Sequence, residues 1–192
     1  MELIQISKGN AKLGNIPNIS MRPGTDCGNC KFCYESCYAR KAYRMYPQTK
    51  AGWTKNGELA KRDPGTYFKL VRRFLNKKSP SFFRWHVSGD ILNQAYADEM
   101  IRIAWDYPET KFLAFTKMHH LRFVALPSNL SIVLSMWPGM PEPESTLPKA
   151  WMQDGSETRV PADAIECPGN CETCGMCWAL PTLGRDVVFE EH

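Results

Sequence analysis

Hydrophobic and polar positions change period several times along this chain, and each change marks a predicted element. After Asp63-Pro64, the residues Tyr67, Leu70, Val71, Phe74 and Leu75 recur at helical spacing. Asp63 can cap that helix, Pro64 suits its first position, and Lys77-Lys78 complement the negative end of its dipole. From Phe82 to Ser88 the pattern alternates instead, with Phe83, Trp85 and Val87 on an apolar face and Arg84, His86 and Ser88 on the other. Asn93 can cap a further helix, in which Ala97, Met100, Ile101, Ala104 and Trp105 share one stripe. Lys111 to Thr116 is predicted as a strand, Met118 to Ala125 as a short helix, and Leu130 to Met136 as another strand. In the last of these, Leu130, Ile132, Leu134 and Met136 oppose Ser131, Val133 and Ser135.

The ends are less regular. Leu3 to Ile6 and Asn15 to Met21 are predicted as short strands, parted by the turn residues Gly9, Asn10 and Gly14. A helical pattern starts at Tyr38, carries Ala39, Ala42, Tyr43 and Tyr46 on one stripe, and is predicted to stop at Pro47. The Pro-rich stretch Pro138 to Pro148 interrupts the alternation, Trp151 to Val160 reads as irregular or a short hairpin, and Val187 to Phe189 as an edge strand. Strand and helix alternate, which argues for parallel βαβ units. The expectation is a single α/β domain over residues 1–192: a partial (β/α) barrel or an open curved, mostly parallel sheet with helices outside.

Composition narrows the function classes. A chain of 192 residues can bury a core without covalent staples. No apolar run reaches the roughly 18 to 20 residues that span a bilayer, so no membrane role is expected. Residues 1–80 hold 16 Lys and Arg against 5 Asp and Glu, whereas the remainder holds 8 against 15. The basic, aromatic-interleaved stretch 38–78 therefore keeps nucleic acid open as a partner, although a solvated helix with a tyrosine stripe explains it equally well.

The chemistry lies in the cysteines. All 8 fall in two runs, Cys27, Cys30, Cys33, Cys37 and Cys167, Cys171, Cys174, Cys177, and the second spacing is the first read backwards. A disulfide framework suits small secreted chains, and no secretory leader pattern opens this one, so a reducing cytoplasm is expected. Zinc prefers two knuckles separated by a longer loop. The C-x2-C-x2-C-x3-C run matches that of bacterial ferredoxins, although Tyr38 stands where a proline usually follows. Two [4Fe-4S] clusters are therefore the leading expectation, with zinc as the alternative. Whether each run closes its own cluster, or Cys167 and Cys37 exchange between them, stays open at this point. In either arrangement the loops 27–37 and 167–177 would be brought together through metal.

Chemistry in α/β folds gathers at the carboxyl ends of strands, so His86, Ser88, Asp90 and Lys117 are the candidate catalytic rim. Plainer readings stand beside it: His86 and Ser88 satisfying one another, Asp90 as a turn residue, and Lys117 with His119-His120 as a solvated helix entrance.

Cys30-Lys31-Phe32-Cys33-Tyr34 to Arg40, Phe83-Arg84-Trp85-His86-Val87-Ser88-Gly89-Asp90, Phe115-Thr116-Lys117, and Cys167-Pro168-Gly169-Asn170-Cys171 to Cys177-Trp178 together resemble the bacteriophage "gene product 88" family. The resemblance covers nearly the whole chain and implies phage or prophage origin, hence a host cytoplasm, more than a reaction. The chain is more loosely similar to radical S-adenosylmethionine enzymes, partial barrels whose C-x3-C-x2-C loop leaves one iron open. Here Arg40 stands in the place of the third cysteine after Cys33 and Cys37. Cys167, Cys171 and Cys174 match that spacing, but only a short tail follows them. The expected function is redox or electron transfer with an unidentified redox partner. The alternatives are a radical or reductive enzyme, with S-adenosylmethionine as cosubstrate, and a zinc-stapled nucleic-acid binder.

Overall fold

The computed structural model describes residues 4–28 and 30–190. Its frame is an 8-stranded sheet in the order β1-β2-β3-β4-β5-β6-β8-β7. The strands are β1 (Ile6–Ser7), β2 (Asn18–Ile19), β3 (Phe82–Trp85), β4 (Lys111–Thr116), β5 (Leu130–Met136), β6 (Lys149–Gln153), β7 (Ile165–Glu166) and β8 (Val187–Glu190). Only β1 runs antiparallel to its neighbour; the other pairings are parallel. The sheet curls inward. Phe115 on β4 and Phe189 on β8 stand three strands apart, roughly 14 Å across a flat sheet, yet their ring centroids lie 5.7 Å apart. The α/β class and the open, mostly parallel, curved sheet thus hold.

Of the helices α1 (Tyr38–Met45), α2 (Pro47–Arg62), α3 (Pro64–Lys78) and α4 (Gln94–Asp106), the last three cover the convex face and α1 packs on α2. Asp63 caps α3 by accepting from the Thr66 amide, and Asn93 caps α4 by accepting from that of Tyr96. Beneath them, Tyr67, Phe68, Val71, Leu75, Tyr96, Met100 and Ile103 pack on Phe83, Trp85, Phe112, Ala114 and Ile132. Burying each large side chain there contributes about 1.5 to 3 kcal/mol. On the concave face, Leu113, Val133, Ala150 and Val187 pack instead against Leu13, Ile16, Cys177, Trp178 and Leu180 from the chain's two ends.

Several expectations are corrected. Leu3 lies outside the described residues, and the first ladder is confined to Ile6–Ser7 paired with Asn18–Ile19. Pro47 ends α1 but is also the first residue of α2, a helix whose inner side carries Gly52, Asn56 and Gly57 as well as Leu59 and Ala60. Asn56 accepts from the Gln5 amide (2.8 Å) and donates to the carbonyls of Gln5 (2.8 Å) and Ser20 (2.9 Å), so a polar clamp adds to the packing of Leu59 and Ala60. Residues 118–125 form no helix. Ala125 is left-handed (φ 51°), and the Gln94 side chain takes up the backbone N–H and C=O of Arg122 at 2.9 Å each. Lys149–Gln153 is a strand because Asp186 accepts from the Lys149 amide and the Trp151 indole, both at 2.8 Å. The Val187 strand is internal, between β6 and β7.

A further correction bears on the site. Alternation along the strand after Arg84 breaks at His86, whose φ is 52°. Its ring turns to the helix side, with centroids 6.0 Å from Trp85 and 5.4 Å from Tyr96, while Val87 packs on the concave side.

Candidate metal-cluster site

The first cysteine run is set in place before its first thiol. Asp26 is buried; it accepts from the Arg22 side chain (Nε 2.8 Å, Nη2 3.0 Å) and lies 2.5 Å from Lys61 Nζ. Burial alone would push its carboxyl up, but the bonds from Arg22 and Lys61 outweigh that and hold it below the usual carboxylate range. Gly57 on α2 is required here, since a Cβ would collide with that carboxylate. The Asp26 carbonyl accepts from the Asp90 amide at 2.9 Å, and the Ser88 carbonyl accepts from the Met21 amide at 2.8 Å. The turn after β3 and the loop after β2 are thereby tied together. Arg40 stacks 3.7 Å over the Tyr34 ring and donates to its carbonyl at 2.8 Å, bracing the run against α1.

The second run is held from three sides. The Cys167 amide donates to Val188 O (3.0 Å), the Cys171 amide to Lys12 O (2.8 Å), and the Ser131 hydroxyl to Cys177 O (2.8 Å). Glu172 also accepts from the Asn15 side chain at 3.0 Å, so both ends of the chain contribute to this loop. Trp178 packs edge-on against Phe82 at 5.3 Å.

The two runs meet at one cavity of about 770 Å³ inside the curl of the sheet. Cys27, Cys30, Cys33 and Cys37 line it from one side and Cys167, Cys171 and Cys177 from the other. All 8 cysteines are free thiols. Within each run the thiols act on one another. Cys30 is pushed up to about 12, by burial first and then by Cys33, Cys27 and Cys37. Cys177 is pushed up to about 12, by burial and then by Cys167, Cys171 and Cys174, with Arg84 opposing. Among the described residues no group of three or more His, Cys, Asp or Glu converges as a single-ion site.

Two cations face these thiols. Arg84, on β3, shares a register row with Leu113 and with the Ser131 that holds Cys177. Its guanidinium lies 4.1 Å over the Phe115 ring and donates to Trp85 O (3.0 Å). Among the described residues no carboxylate is at ion-pair distance from it. Burial pushes its pKa down, while Tyr38, Cys177, Cys171 and Asp90 oppose the shift. Lys117, just past β4, is raised: burial lowers it, but Asp90, Cys33 and Cys27 outweigh that. Both side chains retain accessible surface although protein surrounds them, because that surface faces the cavity.

The remaining rim residues separate. Asp90 is fully engaged, accepting from Ile91 N (2.7 Å), Thr116 Oγ1 (2.6 Å) and Lys117 N (2.9 Å); it fastens the turn after β3 to the end of β4. Among the described residues, Ser88 Oγ and both His86 ring nitrogens are buried without a partner, so these two do not satisfy one another. Burial and then Arg84 push His86 down to about 3, leaving the ring neutral. His119, half-buried, places Nε2 3.1 Å from Ser135 O rather than in a solvated helix entrance. Sequence reasoning missed Asp26, Asn56 and Ser131 as the residues that position the loops. The one local signal was Asp26, four residues after Arg22 and directly before Cys27.

A family model described as gene product 88 matches residues 3–138. The chain belongs to the gene product 88 family. The matched segment contains the first cysteine run, β3 with its turn and Lys117; the second run lies beyond it. Two curated relatives are similar to the chain. The Gene 88 protein of Mycobacterium phage D29 is 25% identical over 212 residues, covering 91% of this chain and 88% of that protein. The Gene 88 protein of Mycobacterium phage L5 is 25% identical over 210 residues, with the same coverage. No solved structure matches. Among the described residues no helix is long and apolar enough to cross a membrane. The looser likeness to radical S-adenosylmethionine enzymes finds no counterpart in these matches.

Proposed function

We propose that this gene product 88 protein is a phage-encoded iron-sulfur protein of reducing cytoplasm, in which each cysteine run holds one [4Fe-4S] cluster at the wall of the shared cavity. The observation that carries this reading is that thiols from distant parts of the chain line one hollow, with Arg84 and Lys117 turned towards them. The donor set fits the group. Four thiols per run, already electrostatically linked to one another, match cubane ligation, whose sulfurs stand further apart than the ligands of a lone ion. The strongest links run within each set, Cys30 with Cys33, Cys27 and Cys37, and Cys177 with Cys167, Cys171 and Cys174. Assigning one cluster to each run, rather than an exchange of Cys37 and Cys167, rests on the four thiols of each run being neighbours in the chain.

Such clusters supply one-electron transfer when bound. The chain's own residues do the rest. Arg84 offsets negative charge at the second run and Lys117 at the first. Phe115, Phe189, Trp137 and Met152 line the cavity and restrict water, which tunes potential. Anaerobic purification with iron, sulfide and zinc analysis and electron paramagnetic resonance tests the reading. About eight irons and eight sulfides per chain are expected; colourless protein carrying zinc instead would overturn it.

A second reading, a reductive or radical enzyme, is favoured by one observation: the orphaned Ser88 hydroxyl borders the same cavity as the first run. It requires an open iron, and absence of cleavage products from S-adenosylmethionine under reducing conditions would remove its radical form.

A further inference from the structure

The outer surface of the helix layer has no part in the cavity's chemistry, yet its charge is heavily one-signed. Residues 38–78 hold 12 Lys and Arg against 2 Asp and Glu. Both carboxylates are engaged: Glu58 lies 3.5 Å from Arg22, and Asp63 caps α3. Lys41, Arg44, Lys50 and Lys55 are exposed, and among the described residues none has a carboxylate at ion-pair distance. The buried residues Leu59, Ala60, Tyr67, Phe68, Val71 and Leu75 face the sheet, so the exposed cations of α2 and α3 project from the opposite side. Like charges packed this densely repel and add nothing to folding.

Large apolar side chains stay in water within the same field. Met45 is 54% and Tyr46 57% exposed. Lys41 and Met45 fall at i and i+4 on α1, with Arg44 beside them and Tyr46 at the helix end. Tyr38 is not part of this field, because its hydroxyl donates to Val87 O at 2.6 Å and its ring borders the cavity.

We propose that the outer face of α1 and α2 binds single-stranded nucleic acid, with phosphates on Lys41, Arg44, Lys50 and Lys55 and a base stacked on Tyr46. Cations interleaved with exposed ring faces serve a strand whose bases are free to stack, which a duplex does not offer. The 16 residues of α2 give a track about 24 Å long, suited to a polymer more than to one acidic patch on a folded protein. The proposal goes beyond the iron-sulfur reading and does not depend on it.

Fluorescence anisotropy of the anaerobically purified full chain tests it, using labelled DNA and RNA strands of roughly 16 nucleotides and the matching duplex, from about 50 to 200 mM salt. The strands are expected to bind more tightly than the duplex. Replacing Lys41, Arg44, Lys50 and Lys55 together by Gln should weaken binding at least about tenfold and flatten the log–log salt slope by about 3. Tyr46→Ala should weaken binding about fivefold or more and leave the slope unchanged. Circular dichroism and iron content of the variants confirm folding. If the fourfold variant fails that check, Lys50→Gln alone should flatten the slope by about 0.7. Absence of binding, duplex binding as tight as strand binding, an unaffected fourfold variant, or binding only to an acidic protein would each overturn the proposal.

Discussion

The two faces of the one sheet are built on opposite principles. On the convex face aromatic side chains pack on one another: Phe83, Trp85, Phe112, Phe68 and Tyr96 interlock, and the hydroxyls of Tyr67 and Tyr96 bond to each other at 2.8 Å. On the concave face the lower rows are filled by Trp178 and Leu180, but above them the packing stops and leaves a cavity walled by thiols and cations. A fold that optimised only its own stability would fill that space, since voids forfeit dispersion contacts. Apolar packing is thus densest on one side, and the other presents thiols and cations to a shared hollow. His86 sits at the seam. It is the residue where the strand abandons alternation, and its left-handed φ of 52° costs on the order of 1 to 3 kcal/mol.

The contrast can be broken most directly at the sulfurs. Cys33→Ser and Cys177→Ser should each abolish roughly half of the bound iron and leave the other cluster's resonance intact. Metal analysis with electron paramagnetic resonance reads this, and loss of both clusters from either variant would mean that the runs share ligands. Stripping the metal altogether should lower the unfolding temperature, because metal binding contributes to folding free energy.

On the convex side, Trp85→Ala should cost about 3 to 5 kcal/mol of stability, as for other buried large-to-small changes. Denaturant titration measures the loss, while iron per folded molecule should not change. An equal loss of iron would show that the two faces are not separable.

The seam has its own pH signature. His86 is neutral when folded, with its pKa near 3, and takes a proton near 6.5 when unfolded. The unfolded state therefore binds the extra proton between those values, so stability is complete above about pH 6.5 and falls as pH drops towards 3. Between pH 6.5 and 5 the loss should be about 2 kcal/mol. Unfolding midpoints at the two pH values check it. His86→Asn, which tolerates the left-handed backbone, should lose this part of the dependence.

The smallest expected effect sharpens the division of the cavity itself. Arg84→Gln should lower the midpoint potential of the second-run cluster, and Lys117→Gln that of the first, each by some 30 to 60 mV. Removing a nearby cation disfavours the more negative reduced form. A redox titration in which either variant moves both clusters equally would contradict the assignment.

Elements whose cause is local were legible without coordinates. The caps at Asp63 and Asn93 and the strands Lys111–Thr116 and Leu130–Met136 rest on period and nearest-neighbour chemistry, and they appear where expected. Elements whose cause is distant were not. α2 hides its identity because Gly52 and Gly57 admit Gln5 and Asp26, residues far away in the chain. Lys149–Gln153 pairs as a strand because Asp186 reaches back to it, and residues 118–125 stay irregular because Gln94 occupies the backbone of Arg122.

The same division holds at the candidate site. Residue order alone determined the inventory: two mirrored cysteine runs, an alternating strand ending in Ser88-Gly89-Asp90, and a basic first half. Ligand type and spacing are covalent facts that no folding can alter. Only the tertiary structure decided that both runs look into one hollow, that Arg84 and Lys117 each attend a different run, that Asp90 is a fastener, and that His86 turns away. Those outcomes depend on the curl of a parallel sheet, which brings β4 and β8 within ring contact and which no single stretch of the chain encodes.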